Sequence, residues 1–469
     1  MRVTALLLLC LASLPICAAP FDESFVDRTM RVDYFHTSTP KGDEIVALDR
    51  VVSDGPWPGS RTQLVDSSNL GKYLFEVIDR TTNQVIFSRG FASVYGEFET
   101  TGEARERAAT FHESLRFPWP KKEVQVVLKK RDARNAFQQV WSTIVDPSSR
   151  FVNPSPARPA GKVWSYLDNG HPSQKVDLLV IGEGYTEAEM PKLKRDVERL
   201  VGKLFATEPF KSRKSDFNVR VLELPATKSG VHRPRTRDDR RGVTGVEFNI
   251  FDSERYVLTL DNQALRDAAS SAPYDFIEIL VNEKQYGGGG IFNDQATSSV
   301  DSGFSEYVFI HEFGHHFAGL GDEYYTSDVA YETGGVDHPE PWEPNVTANG
   351  ARPKWMDMVT AGTPLPTPWQ KEAFEKHQHE YQAERRKLRE ANVPESEMDA
   401  LFRREQDWET KFLSSEKYAN KVGAFEGASY EARGLYRPET DCIMFTRNEV
   451  GFCDVCTRAI LRMIDMQVK

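Results

Sequence analysis

Between residues 31 and 145 the chain alternates apolar and polar positions with a period of two, in short runs. Residues 31–35, 45–52, 72–78, 85–87, 91–98, 123–128 and 140–145 read as strands. Thr81-Thr82-Asn83 sits between two of them as a tight hairpin turn. Many short strands divided by turn signals predict a β-sandwich over residues 20–146. A break follows at 147–162, where Pro147, Pro154, Pro156 and Pro159 with serines, Ala160 and Gly161 predict an extended linker.

From residue 163 to 469 the pattern changes. Residues 176–181 form an unbroken apolar run of the buried-strand type, and Thr186 with Glu189 makes a capping box for a helix over 187–205. Further strands are predicted at 218–222 and 276–281, which gives a mixed α/β sheet. Four consecutive glycines at 287–290 lack the Lys-Ser/Thr pair of a phosphate loop, so they predict a flexible turn into an edge strand over 291–300. Asp301 or Ser302 is placed to cap the helix that follows. A charged insert at 370–420 carries Phe374, Tyr381, Leu388, Leu401, Phe402 and Phe412 at helical spacing, and Pro394 splits it into two amphipathic helices. His377 and His379 lie two apart in this insert and read as surface residues. A final helix is predicted over 454–466. The fold class is α+β, multidomain.

Composition narrows the function. With 39% hydrophobic and 28% charged residues, the 469-residue chain is globular rather than disordered. A net charge of −11 disfavours nucleic acid as a partner. Residues 1–19 read as a cleavable signal peptide: Met1-Arg2, an apolar run over 5–16, then Ala18-Ala19. No later apolar run is long enough to span a bilayer, so the mature chain is expected to be secreted or periplasmic, without stable membrane insertion. Two of the five cysteines, Cys10 and Cys17, fall in that signal. Cys442, Cys453 and Cys456 remain. In an oxidising compartment a disulfide involving Cys442 is expected, with a redox pair or half a zinc site at Cys453 and Cys456 as the alternatives. Asn345-Val346-Thr347 is a glycosylation sequon.

The chemistry concentrates in His311-Glu312-Phe313-Gly314-His315-His316-Phe317-Ala318-Gly319-Leu320-Gly321-Asp322-Glu323. On a helix, His311 and His315 are one above the other and can grip one zinc ion. Glu312 is beside them, placed to take a proton from a water held at the metal. Gly319 and Gly321 end the helix and let the chain turn back. His316 points off the ligand face. The third ligand comes from elsewhere: Asp322, seven residues after His315, leads, Glu323 is the rival, and a distant residue is the remaining choice. The plain alternative is a surface helix with two incidental histidines.

This stretch, together with Asp441-Cys442-Ile443-Met444, resembles the secreted metallopeptidases named after a bacterial IgA peptidase, which belong with the metzincins. The resemblance covers most of the chain. It implies a β-rich N-terminal domain followed by a metzincin-like zinc peptidase domain, Glu312 as general base, and Met444 as the methionine turn beneath the metal. The common metzincin spacing puts a glycine three residues, and the third ligand six, after the second histidine. Here Gly319 is at four and Asp322 at seven. Some metzincins carry a tyrosine two residues after the methionine. This chain has Thr446 there, which leaves Tyr436 as the candidate oxyanion donor.

The sequence therefore points to a zinc-dependent endopeptidase with one Zn(2+) per chain and a protein or peptide substrate. Its rivals are a non-catalytic secreted binding protein with a structural zinc, and a zinc amidase acting on cell-wall material. The oligomeric state and the substrate are not encoded in any readable pattern.

Overall fold

The computed structural model describes residues 20–156, 158–327 and 338–468. The predicted signal peptide and its two cysteines lie outside the described residues. In chain order the N-terminal part runs α1 (Phe21–Ser24), β1 (Phe25–Ser38), β2 (Glu44–Ser53), β3 (Tyr73–Asp79), β4 (Val85–Phe91), α2 (Val94–Phe98), β5 (Ala109–Pro120), β6 (Val124–Arg131), β7 (Phe137–Val145) and β8 (Val152–Asn153). These strands form two four-stranded sheets, ordered β5-β1-β2-β8 and β4-β3-β6-β7. Their inner faces share aromatic contacts: Tyr34 of β1 stacks on Trp141 of β7, and Phe75 of β3 meets Phe117 of β5.

Three sequence expectations change here. The run 91–98 is not a strand, because Ser93 accepts a hydrogen bond from the Gly96 amide and starts the short helix α2. Strand β5 escaped detection because Glu113 stands at one of its inward, otherwise apolar positions. Glu113 is nonetheless buried, paired with His36 at 2.9 Å. The proline-rich stretch is not a free linker throughout, since β8 pairs in parallel with β2.

The second part contains β9 (Lys162–Leu167), β10 (Val176–Glu183), α3 (Met190–Leu204), β11 (Phe217–Glu223), the short β12 (Val246–Glu247) and β13 (Leu258–Thr259), α4 (Asn262–Ala269), β14 (Phe276–Val281), β15 (Gly288–Ile291), β16 (Gln295–Ser299) and α5 (Ser305–Ala318). It ends with α6 (Lys371–Glu390), α7 (Glu395–Ser414), β17 (Phe425–Ala428), β18 (Glu431–Arg437) and α8 (Asp454–Val468). The main sheet has the order β15-β16-β14-β10-β11-β9, with antiparallel strands only at its two edges. β10 is buried along its whole length because both sheet faces are covered. Leu178 and Val180 join one core and Leu179 and Ile181 the other, as a period of two requires. α3, α5 and α8 pack on the first face, and α4 on the second. The predicted capping box is formed: Glu189 accepts from the Thr186 amide at 2.9 Å.

The glycines do not make a loop before the edge strand. They are the edge strand, and 295–299 is the next strand inward. A Cβ on Gly290 would stand 2.3 Å from the Glu312 carbonyl oxygen, and one on Gly288 would stand 2.6 Å from Val308. Only glycine lets α5 lie this close to the sheet. The start of α5 also differs from expectation: neither Asp301 nor Ser302 caps it, and Asp399 of the insert accepts from the Gly303 amide instead.

The two parts share one continuous core. The turn between β15 and β16 docks on β4, with Ala92 N–H to Phe292 O at 2.9 Å and Asn293 Nδ2 to Gly90 O at 2.7 Å. A buried Arg31 bridges the parts, pairing with Asp33, Asp54 and Asp267 of α4. Among the described residues no helix is long and apolar enough to cross a membrane.

Candidate active site

α5 ends where Gly319 takes φ +60°, and the Leu320 amide reaches back to the Gly314 carbonyl. The turn sends Asp322 back over the helix. His311 Nε2 and His315 Nε2 are 3.1 Å apart, and Asp322 Oδ1 stands 3.0 and 3.2 Å from them. The three atoms form a near-equilateral triangle.

The protons on both imidazoles are fixed from behind. His311 Nδ1–H donates to the Ile443 carbonyl at 2.9 Å, and His315 Nδ1–H to the Leu320 carbonyl at 2.5 Å. A carbonyl can only accept, so each Nε2 keeps its lone pair facing Asp322. Asp322 Oδ1 is buried with no hydrogen-bond donor among the described residues, while the Tyr430 hydroxyl donates to its Oδ2. Three lone-pair atoms at this spacing repel one another unless a cation stands among them. Tetrahedral ligands at about 2.05 Å from a metal are about 3.3 Å apart, so the residues fit such an ion. Without one, a proton serves. Burial opposes charge on His315, but Asp322 overrides it and carries the imidazole up to about 9. Burial likewise opposes ionisation of Asp322, yet the two histidines hold its carboxyl well below the usual range.

Glu312 has an oxygen within 4.8 Å of ligand nitrogens on both histidines and lines the cleft in front of them. Burial pushes its carboxyl upward, and the imidazoles pull it partly back. His316 is turned away: its ring accepts from the Ile277 amide and donates to the Ile291 carbonyl, and burial lowers it to about 3. Met444 lies under the helix, where a Cβ on Gly314 would meet its sulfur at 3.1 Å. Its carbonyl accepts from the Glu323 amide at 2.8 Å.

Glu323 does not reach the histidines. Its carboxylate points the opposite way from that of Asp322, accepting from Asn345 Nδ2 at 2.9 Å and lying 3.4 Å from Cys456 Sγ. Tyr436 does not reach the cleft either. Its main chain pairs with Thr347 and its ring packs over Gly350. The disulfide expected among Cys442, Cys453 and Cys456 is not formed; all three are free thiols, and Cys442 and Cys456 are 3.9 Å apart against about 2.05 Å for a bond. The sequon asparagine is fully buried and clamps the Gly321 backbone through both ends of its amide, which leaves no room for a glycan.

A cleft of about 350 Å³ opens over the triangle. One wall is Gly288, Gly290 and Ile291 of the edge strand, and Lys72, Gly96 and Glu97 of the N-terminal part close another side. Tyr324 and Tyr430 also line it. No sequence pattern marked Tyr430, whose φ of +65° is unusual for a tyrosine, or Asn345 as a clamp.

Two histidines one helical turn apart, a facing carboxylate and an adjacent half-buried glutamate at a cleft floor are the equipment of a metallopeptidase. Residues 165–464 match the family described as IgA Peptidase M64, and residues 20–142 match Peptidase M64 N-terminus. The chain belongs to this M64 metallopeptidase family, and its substrate class is protein. A comparison with curated proteins gives no match.

Proposed function

We propose that the protein is an exported zinc-dependent endopeptidase with a metzincin-like fold. His311, His315 and Asp322 hold one zinc ion, Glu312 is the general base, and Met444 is the methionine turn. The observation that carries this reading is the triangle of 3.0, 3.1 and 3.2 Å with both imidazole protons committed behind it. Zinc bound there polarises a carbonyl and brings the pKa of water from about 15.7 toward about 7.

The chain's own groups do the remaining work. Glu312 takes the proton of the attacking water and returns it to the leaving amine. Its partial burial suits that task, because a raised carboxyl is closer to the operating pH. The Tyr324 hydroxyl accepts from Arg255 Nη2 at 3.1 Å, which leaves its own proton to meet the oxyanion, the part expected from sequence of Tyr436. An extended substrate lies along the edge strand. The outward main chain of Gly288 is already paired with Arg255 and Val257, which directs the substrate to Gly290, the next outward-facing residue of the strand. The N-terminal part restricts what enters, and removal of residues 1–19 accompanies export.

The test pairs Glu312→Gln with His311→Ala. The first is expected to keep its metal by elemental analysis and lose hydrolysis of a denatured protein by orders of magnitude. The second is expected to lose that metal. Full activity in Glu312→Gln overturns the mechanism.

A further inference from the structure

Behind the active site, Glu323, Cys442, Cys453 and Cys456 each offer a ligand atom, and all four atoms lie within 4.8 Å of one another. Cys442 and Cys456 sulfurs are 3.9 Å apart, and Cys456 sulfur is 3.4 Å from Glu323 Oε1. Ligands in a tetrahedral zinc site, at about 2.3 Å for sulfur and about 2.05 Å for oxygen, are about 3.8 Å and about 3.5 Å apart. We infer that these four residues form a second, structural zinc site, separate from the one at the histidines.

Three further observations point the same way. First, the cluster is closed: Glu323, Cys442 and Cys456 are 0% exposed and Cys453 6%, so four protein ligands complete the shell and no position is left for water. Second, the sulfurs sit where thiolates are stabilised. The amides of Met444 and Cys453 donate to Cys442 Sγ at 3.5 and 3.3 Å, and the Cys456 amide donates to Cys453 Sγ at 3.5 Å. Cys453 immediately precedes α8 and Cys456 lies in its first turn, at the positive end of the helix. Third, Glu323 Oε2 is buried without a hydrogen-bond partner among the described residues. A carboxylate is costly in such a place unless a cation offsets it. Binding takes up Zn(2+) and releases the thiol protons to solvent; no redox step is involved.

A disulfide explains the arrangement less well. Three sulfurs are an odd number, and here they converge with an oxygen on one point instead of pairing. The role follows from what the ligands join. Glu323 ends the turn that delivers Asp322, Cys442 precedes the carbonyl that orients His311, and Cys453 and Cys456 anchor α8. The ion would staple these three segments behind the active site.

The experiment uses the full chain, purified with a reductant and loaded with zinc alone. Wild type is expected to hold two zinc equivalents. The His311→Ala/His315→Ala variant is expected to hold one, with sulfur neighbours at about 2.3 Å by X-ray absorption. In Cys453→Ser/Cys456→Ser the stoichiometry is expected to fall by one from wild type. Should the cysteine variant fail to fold, the histidine variant alone decides. The inference is overturned if that variant holds no zinc, if its zinc shows only nitrogen and oxygen neighbours, or if the intact mass of wild type shows a disulfide. One equivalent in wild type with sulfur neighbours would sink the proposed catalytic zinc and leave this site standing.

Discussion

Asp322 and Glu323 are consecutive, yet they serve opposite environments. Asp322 faces two imidazoles at the floor of a cleft, and Glu323 faces three thiols in the protein interior. One cluster is built of nitrogen and oxygen with an open side; the other is rich in sulfur and sealed. A single reversal at Gly319 to Gly321 sends one carboxylate forward to the histidines and the next backward to the thiols. Choosing between them, as the sequence invites, misses that each carboxylate joins a cluster of its own.

Metal removal separates the two clusters most sharply. A chelator is expected to abolish peptide hydrolysis while one zinc equivalent stays bound, because the sealed thiolate site exchanges slowly. Metal analysis after rapid gel filtration checks this, and simultaneous loss of both ions would break the contrast. Next in size, Glu312→Gln is expected to lower kcat/KM about 10²–10⁴-fold at unchanged metal content, as measured on a fluorogenic peptide. A smaller effect is expected for Tyr324→Phe, about 100-fold in kcat with KM nearly unchanged; a pure KM effect would assign the hydroxyl to ground-state binding. The smallest concerns the joint between the clusters. Asn345→Ala removes hydrogen bonds to Gly321 and to Glu323 and leaves buried groups unpaired, so about 1–3 kcal/mol of stability is lost in denaturant unfolding. An unchanged midpoint would mean that the turn holds its shape without the clamp.

What could be read from the sequence was local. His311, Glu312 and His315 are spaced by a single helical turn, and the capping box at Thr186 and the split at Pro394 depend on neighbours in the chain. What could not be read depends on approach from far away. Cys456 meets Glu323 across 133 residues, so their spacing carried no signal and a disulfide was the default expectation. The glycine run looked like a flexible turn because its reason, the close passage of Glu312, is tertiary. Strand β5 hid behind Glu113, a charge made tolerable inside by His36 and the Tyr95 amide. Asn345 read only as a sequon for the same reason: its partners at Gly321 and Glu323 are more than twenty residues away.

The hydrogen bond from His311 to the Ile443 carbonyl spans 132 residues. At about 5–20 residues per second, a ribosome needs roughly 7–26 s to travel from one to the other. Through that interval a growing chain carries both histidines and Glu312 but lacks the carbonyl that orients the first imidazole and the methionine that packs beneath the helix. The surroundings of the histidine pair are therefore complete only after synthesis has passed Met444.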